Sequence, residues 1–206
     1  SGQQVYNIWV QTTAHEWKFA ADPLESARIY LSKSKDCIPL LPPDKPGVVS
    51  LSFVVPQPLR LVKQAGKVPH EVVVDATFST NSSGLELYAC LAEVDGTGVP
   101  ISYCALSTQH SIVPSKRKRA LAHWLHQVRA KTGINPRVFH TDNDLAQSGA
   151  ATEVWPNTHI QLCLWHSQKA VSKHLNQANM ATQVYCASEA AAEFSLIDPR
   201  FVPSGQ

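Results

Sequence analysis

Asp75 stands in the run Glu71-Val-Val-Val-Asp-Ala-Thr-Phe78, whose β-branched content predicts a strand. Alternation along it puts Val72, Val74, Ala76 and Phe78 on one face and Val73, Asp75 and Thr77 on the other. A carboxylate midway along such a strand is costly to bury unless it is paired or bound to metal. Asp142 follows Val138-Phe139-His140-Thr141, at the carboxyl end of a second short strand. If these strands are parallel neighbours, two carboxylates 67 residues apart in the chain converge at one sheet edge. Two close anions repel, so the pair either shares a proton or recruits a divalent cation. Carboxylate oxygens suit Mg²⁺ or Mn²⁺, and a two-metal site activates a nucleophile and steadies a leaving oxygen in phosphoryl transfer. Taken singly, each residue has a plainer reading: Asp75 solvated near a strand edge, Asp142 capping the next helix.

The elements that would position these carboxylates are readable around them. After Glu71–Phe78 comes the turn Asn81-Ser-Ser-Gly84, then a nearly all-apolar strand Leu85–Val94. The turn Asp95-Gly-Thr-Gly98 leads into a third strand, Val99–Leu106, so the three form an antiparallel meander. From Ser115 the period becomes helical: Leu121, Trp124, Leu125 and Val128 share a face, and Gly133 stops the helix. Arg137–Thr141 is the fourth strand, Asp144–Val154 a helix, Thr158–Cys163 the fifth strand, and Leu164–Gln177 a last helix. This order predicts an α/β fold with a mixed five-stranded sheet and helices on both faces, the fourth strand lying parallel beside the first. Ligands in such sheets collect at the carboxyl ends of the strands.

Other residues could carry chemistry too. Cys163-x-x-His166 is half of a zinc site, but closure needs four ligands, and His140 and His159 have no ligand-like spacing to it. Its plainer reading is a strand-to-helix junction that packs the thiol and hydrogen-bonds the imidazole. Lys116-Arg-Lys-Arg119 opens a helix, where cations oppose the macrodipole, so phosphate contact or a nuclear import signal explains it better than helix stability, the plainer reading being a solvated helix turn. Lys169, Lys173 and His174 make a weaker basic stripe on the last helix. Trp124 reads as core, and Cys90 and Cys104 as buried thiols.

Composition sets outer bounds. With 44% hydrophobic residues among 206, the chain can bury a sizeable core, and wholesale disorder is excluded. No apolar stretch approaches the ~20 residues of a membrane helix, so no membrane partner is expected. A net charge of +2 names no partner, and five cysteines without a C-x-x-C pair do not make a disulfide framework, which points to a reducing, intracellular compartment. Residues 1–68 read as a partly helical lead-in. Asp22-Pro23 starts one of its helices, seven of fourteen prolines fall within 36–70, and one strand lies at Val48–Val55. Residues 69–180 form the core, and 181–206 a tail. The Ser1-Gly2 start without methionine reads as a cloning remnant on an excised fragment.

The motifs Val-Val-Val-Asp75-Ala-Thr-Phe-Ser-Thr-Asn81, Thr141-Asp142-Asn-Asp144 and Trp155-Pro156…Leu162-Cys163-Leu-Trp165-His166 together resemble the transposase domain of Mutator-like (MULE) DNA transposons. The resemblance covers roughly residues 69–175. It implies a ribonuclease-H-like fold with an Asp-Asp-Glu metal site that cuts and joins DNA strands. Asp75 and Asp142 would be the first two acids, and Cys163 and His166 the family's C-x-x-H element. The family's glutamate usually follows a helical insertion. Here the tail offers Glu189 and Glu193 at i, i+4, with the true third acid expected beyond the fragment and the fragment alone inactive. The implied cofactors are Mg²⁺ or Mn²⁺, the implied partners transposon-end and target DNA and further copies of the chain, and the implied compartment the nucleus. A domesticated DNA- or protein-binding descendant, or a plain nuclease on the same fold, fits the same residues.

Overall fold

The structure is a computed structural model and describes residues 2–112, 115–175, 186–193, 198 and 200. Two compact units divide the chain, Ser1–His166 and Ser167–Gln206. In chain order the elements are α1 (Gly2–Trp17), α2 (Pro23–Lys33), β1 (Ile38–Leu40), β2 (Val49–Val54), α3 (Pro56–Gln64), β3 (Glu71–Thr77), β4 (Glu86–Val94), β5 (Thr97–Ser107), α4 (Lys116–Thr132), β6 (Val138–Thr141), α5 (Leu145–Val154), β7 (His159–Leu162), α6 (Leu164–Leu175) and α7 (Ala187–Glu193).

From residue 71 onward the order is the expected one. β3, β4 and β5 form the meander, and β6 pairs with β3 in parallel. The β4–β5 turn is Asp95-Gly96, both at positive φ (53° and 76°), the backbone of a type I′ hairpin that matches strand twist. A bulge at Cys90/Leu91 takes up Ile101, beside Pro100, which has no N–H for the ladder.

The strand count is a correction. The sheet has seven strands in the order β1-β2-β5-β4-β3-β6-β7, mostly antiparallel, because the lead-in adds two strands at the β5 edge where one was expected. Two features concealed this. β1 is only Ile38-Pro39-Leu40, and proline is tolerated there because the strand is an edge. β2 turns Ser50, Ser52 and Val54 into the core, so its more apolar face, Leu51 and Phe53, points the other way. That second face lies beside α2, where Ala27, Tyr30 and Leu31 share a cavity of about 560 Å³ with Leu51 and Phe53. Asp22 caps α2 as expected, its Oδ1 accepting the Glu25 N–H at 2.7 Å. α1 buries none of its residues, and Val5, Ile8 and Trp9 are exposed.

The core lies between one sheet face and α4 with α5. Val72 and Val74 from β3, Tyr88 and Cys90 from β4, and Cys104 and Leu106 from β5 meet Leu121, Trp124, Leu125 and Val128 of α4. Gly133 ends α4 at φ 71°, its N–H reaching the Arg129 carbonyl at 2.8 Å. Among the described residues no helix is long and apolar enough to cross a membrane.

Candidate metal centre

The parallel pairing of β3 with β6 sets the site. Val73 pairs with His140, so continuing two residues along each strand brings Asp75 level with Asp142. β7 then pairs with β6, Thr141 opposite Leu162, and the Cys163 N–H bonds the Thr141 carbonyl at 2.7 Å. Three strands therefore end side by side, and α6 begins at that edge with His166 in its first turn. Asp75, Asp142 and His166 each present one ligand atom, all within 4.8 Å of one another.

The local environments differ. Asp75 is exposed rather than buried in its strand, with its Oδ1 taking the Ala76 N–H at 2.9 Å. Asp142 is partly buried. Burial first, then Asp144 and Asp75, push its carboxyl above the usual range, against the pull of His166 and Arg117. The His166 Nδ1 is buried without a hydrogen-bond partner. Two carboxylate oxygens and one imidazole nitrogen make a donor set that fits a divalent cation. His166, read from sequence as a partner of Cys163, stands with the aspartates instead, and Cys163 is not in this group.

Three motifs now lie in order around one strand edge, inside a contiguous stretch of β3 to α6. Residues 71–170 match the MULE transposase domain. The MULE match carries the chain's transposase-related character and encloses Asp75, Asp142 and His166. No curated protein matches the chain.

Within the MULE domain the basic run at the start of α4 is tied into the fold. Arg117 Nη2 meets Asp144 Oδ2 at 2.7 Å, and its Nε donates to the Tyr88 hydroxyl at 2.7 Å. That hydroxyl donates to Glu86 Oε2 at 2.5 Å. Lys116 Nζ donates to the Ser111 carbonyl at 2.7 Å, and Lys118 pairs with Glu153 at 3.2 Å. Arg119 is exposed. Asp144 in turn caps α5 through the Ala146 and Gln147 N–H groups. The Gln147 side chain takes a hydrogen bond from Thr141, the residue before Asp142, at 2.8 Å. Arg117 thus anchors the segment that carries Asp142, a role the sequence concealed. The available signal was electrostatic: a cation at a helix start needs a carboxylate, and Asp144 supplies it.

Arg117→Met is expected to lower stability by about 2 kcal/mol, since charged hydrogen bonds are lost and Asp144 keeps an unpaired charge. Arg117→Lys should recover only part of this, because an ammonium cannot reproduce the fork. Urea midpoints of the three proteins check the order.

Lys169 is exposed on α6 within the second unit, and Lys173 is on the same helix, its side chain outside the described residues. Glu189 is exposed on α7 in that unit, and Glu193 is on the same helix, its side chain also outside the described residues. His140 is paired with Glu71 at 2.6 Å, and His159 is exposed.

Proposed function

We propose that the chain is the nucleic-acid-processing core of a DNA transposase, a ribonuclease-H-like domain whose Asp75 and Asp142 hold Mg²⁺ or Mn²⁺ for strand cleavage and strand transfer. The observation that carries this reading is the meeting of Asp75 and Asp142 across the β3–β6 pair, inside the MULE match. A bound divalent ion would supply charge stabilisation at the scissile phosphate and lower the pKa of an attacking water or 3′-hydroxyl. The chain's own part is geometric. The parallel strands fix the two carboxylates, the Arg117–Asp144–Gln147–Thr141 connections hold the Asp142 segment, and Asp75 is exposed to solvent.

DNA contact falls first to the exposed Arg119, with Lys169 and Lys173 of α6 further candidates, while Lys116, Arg117 and Lys118 also serve the fold. Such contacts are to phosphate and carry no base preference. The acting form is a homo-oligomer in the nucleus. Incubating the complete protein with supercoiled DNA tests the function. Nicking should require Mg²⁺ or Mn²⁺, stop with a chelator and return when the ion is restored. Nicking that persists in chelator overturns the metal-dependent reading.

A further inference from the structure

We propose that His166 is the third protein ligand of the ion held by Asp75 and Asp142, and that its imidazole turns the site toward Mn²⁺ over Mg²⁺. This rests on the reading of the two aspartates as metal ligands. Three independent features point to it. First, the ligand atoms of all three residues lie within 4.8 Å of one another. Two ligands of one ion with bonds near 2.1 Å stand ~3–4 Å apart, so small side-chain rotations close the set.

Second, the fold makes no use of the His166 Nδ1, which is buried and has no hydrogen-bond partner. A neutral imidazole offers one N–H and one lone pair, and a buried ring nitrogen without a partner is a polar group that a ligand can satisfy. Third, the backbone holds His166 in place. The Cys163 N–H is bonded to the Thr141 carbonyl, one residue before Asp142, so the start of α6 and the end of β6 move together. The Trp165 ring packs edge-on against the imidazole, with centroids 4.7 Å apart.

The metal preference follows from donor type. Mg²⁺ takes oxygen ligands in near-ideal octahedra and keeps its waters, whereas imidazole nitrogen suits transition metals. A third ligand within this chain also means that an ion can bind here without a distant glutamate.

The test uses the whole chain without an affinity tag, titrated with Mn²⁺ and followed by electron paramagnetic resonance, with electron-spin-echo detection of bound ¹⁴N. The parent should bind Mn²⁺ with a nitrogen modulation that vanishes in His166→Ala. That variant should bind Mn²⁺ at least about tenfold more weakly, while Mg²⁺ affinity, read by competition, changes much less. Bound Mn²⁺ that shows no nitrogen signal, or keeps its signal in His166→Ala, overturns the assignment of His166 and leaves the aspartates as ligands. Tighter Mn²⁺ binding in His166→Ala also overturns it, since His166 would then act as a competing cation. Mn²⁺ binding that survives both Asp75→Asn and Asp142→Asn sinks the underlying site itself. Absence of bound Mn²⁺ at millimolar concentration in the parent counts against the three-ligand set.

Discussion

Asp142→Asn is expected to reduce metal-dependent DNA cleavage by at least about a thousandfold, since losing a ligand that positions the ion removes several kcal/mol of stabilisation. The same variant should be more stable than the parent at neutral pH in metal-free buffer. Asp142 is partly buried, next to Asp144 and level with Asp75, and its carboxyl is held above the ordinary range, burial being the largest cause. A carboxyl raised by folding favours the protonated state. Its contribution to stability is therefore intact below its unfolded value and lost as pH climbs through the raised folded value. Asparagine carries no charge at any pH, so it escapes that loss.

The urea midpoint of Asp142→Asn should then exceed that of the parent at pH 7, and the gap should close below about pH 4, near the unfolded carboxyl value. Saturating Mn²⁺ should reverse the order, because only the parent gains from ligand binding. Activity and stability thus move in opposite directions, which separates a site residue from a folding residue. A variant that cleaves at the parental rate removes Asp142 from the site. One that is less stable than the parent in metal-free buffer at pH 7 removes the account of its burial.

Legibility varied with how far each feature depended on local chemistry. β3, β4 and β5 were readable because apolar runs alternate with Gly-containing turns, and Asp95-Gly96 adopts the positive-φ geometry that pair permits. The partnership of β3 with β6 followed from the crossover through α4, and it sets Asp75 level with Asp142. β2 was readable as a strand but not in its face, since serines rather than its larger apolar residues enter the core. β1 and α3 lay in proline-rich sequence, and β1 finds its partner only in β2, which itself joins the β5 edge. His166 could be seen as a candidate ligand, but its spacing pointed to Cys163. The turn from β7 into α6 directs it to the aspartates instead, and such a turn has no periodicity to read. Lys116–Arg119 showed charge without partners: Asp144 and Glu153, 27 and 35 residues from Arg117 and Lys118, became visible only in three dimensions.

Trp124→Ala should cost about 3–5 kcal/mol, the usual range for truncating a fully buried aromatic residue, and a large share of the ~5–15 kcal/mol that holds a domain folded. Trp124 is 1% exposed, sits with its ring centroid 6.2 Å from that of Tyr88, and donates its Nε1 hydrogen to Ser102 Oγ at 2.9 Å. Ser102 donates onward to the Phe53 carbonyl at 2.7 Å, so the indole joins α4 to β5 and, through it, to β2. Trp124→Phe keeps the ring contact with Tyr88 but leaves the Ser102 hydroxyl without its donor, an expected loss of about 1–2 kcal/mol beyond the volume change. The ordering parent, Phe, Ala in urea midpoint checks the packing. The consequence for the site is specific, because α4 also carries Arg117 at its first turn, against Tyr88 and Asp144. Trp124→Phe, which keeps α4 seated and keeps the Tyr88 ring contact through which Trp124 neighbours Arg117, should leave Mn²⁺ affinity within about twofold of the parent. Trp124→Ala should weaken Mn²⁺ binding only under conditions where α4 has begun to detach. A loss of Mn²⁺ affinity in Trp124→Phe under fully folded conditions would mean that the core face of α4 is coupled to Asp142 more tightly than the Arg117–Asp144 contact alone provides.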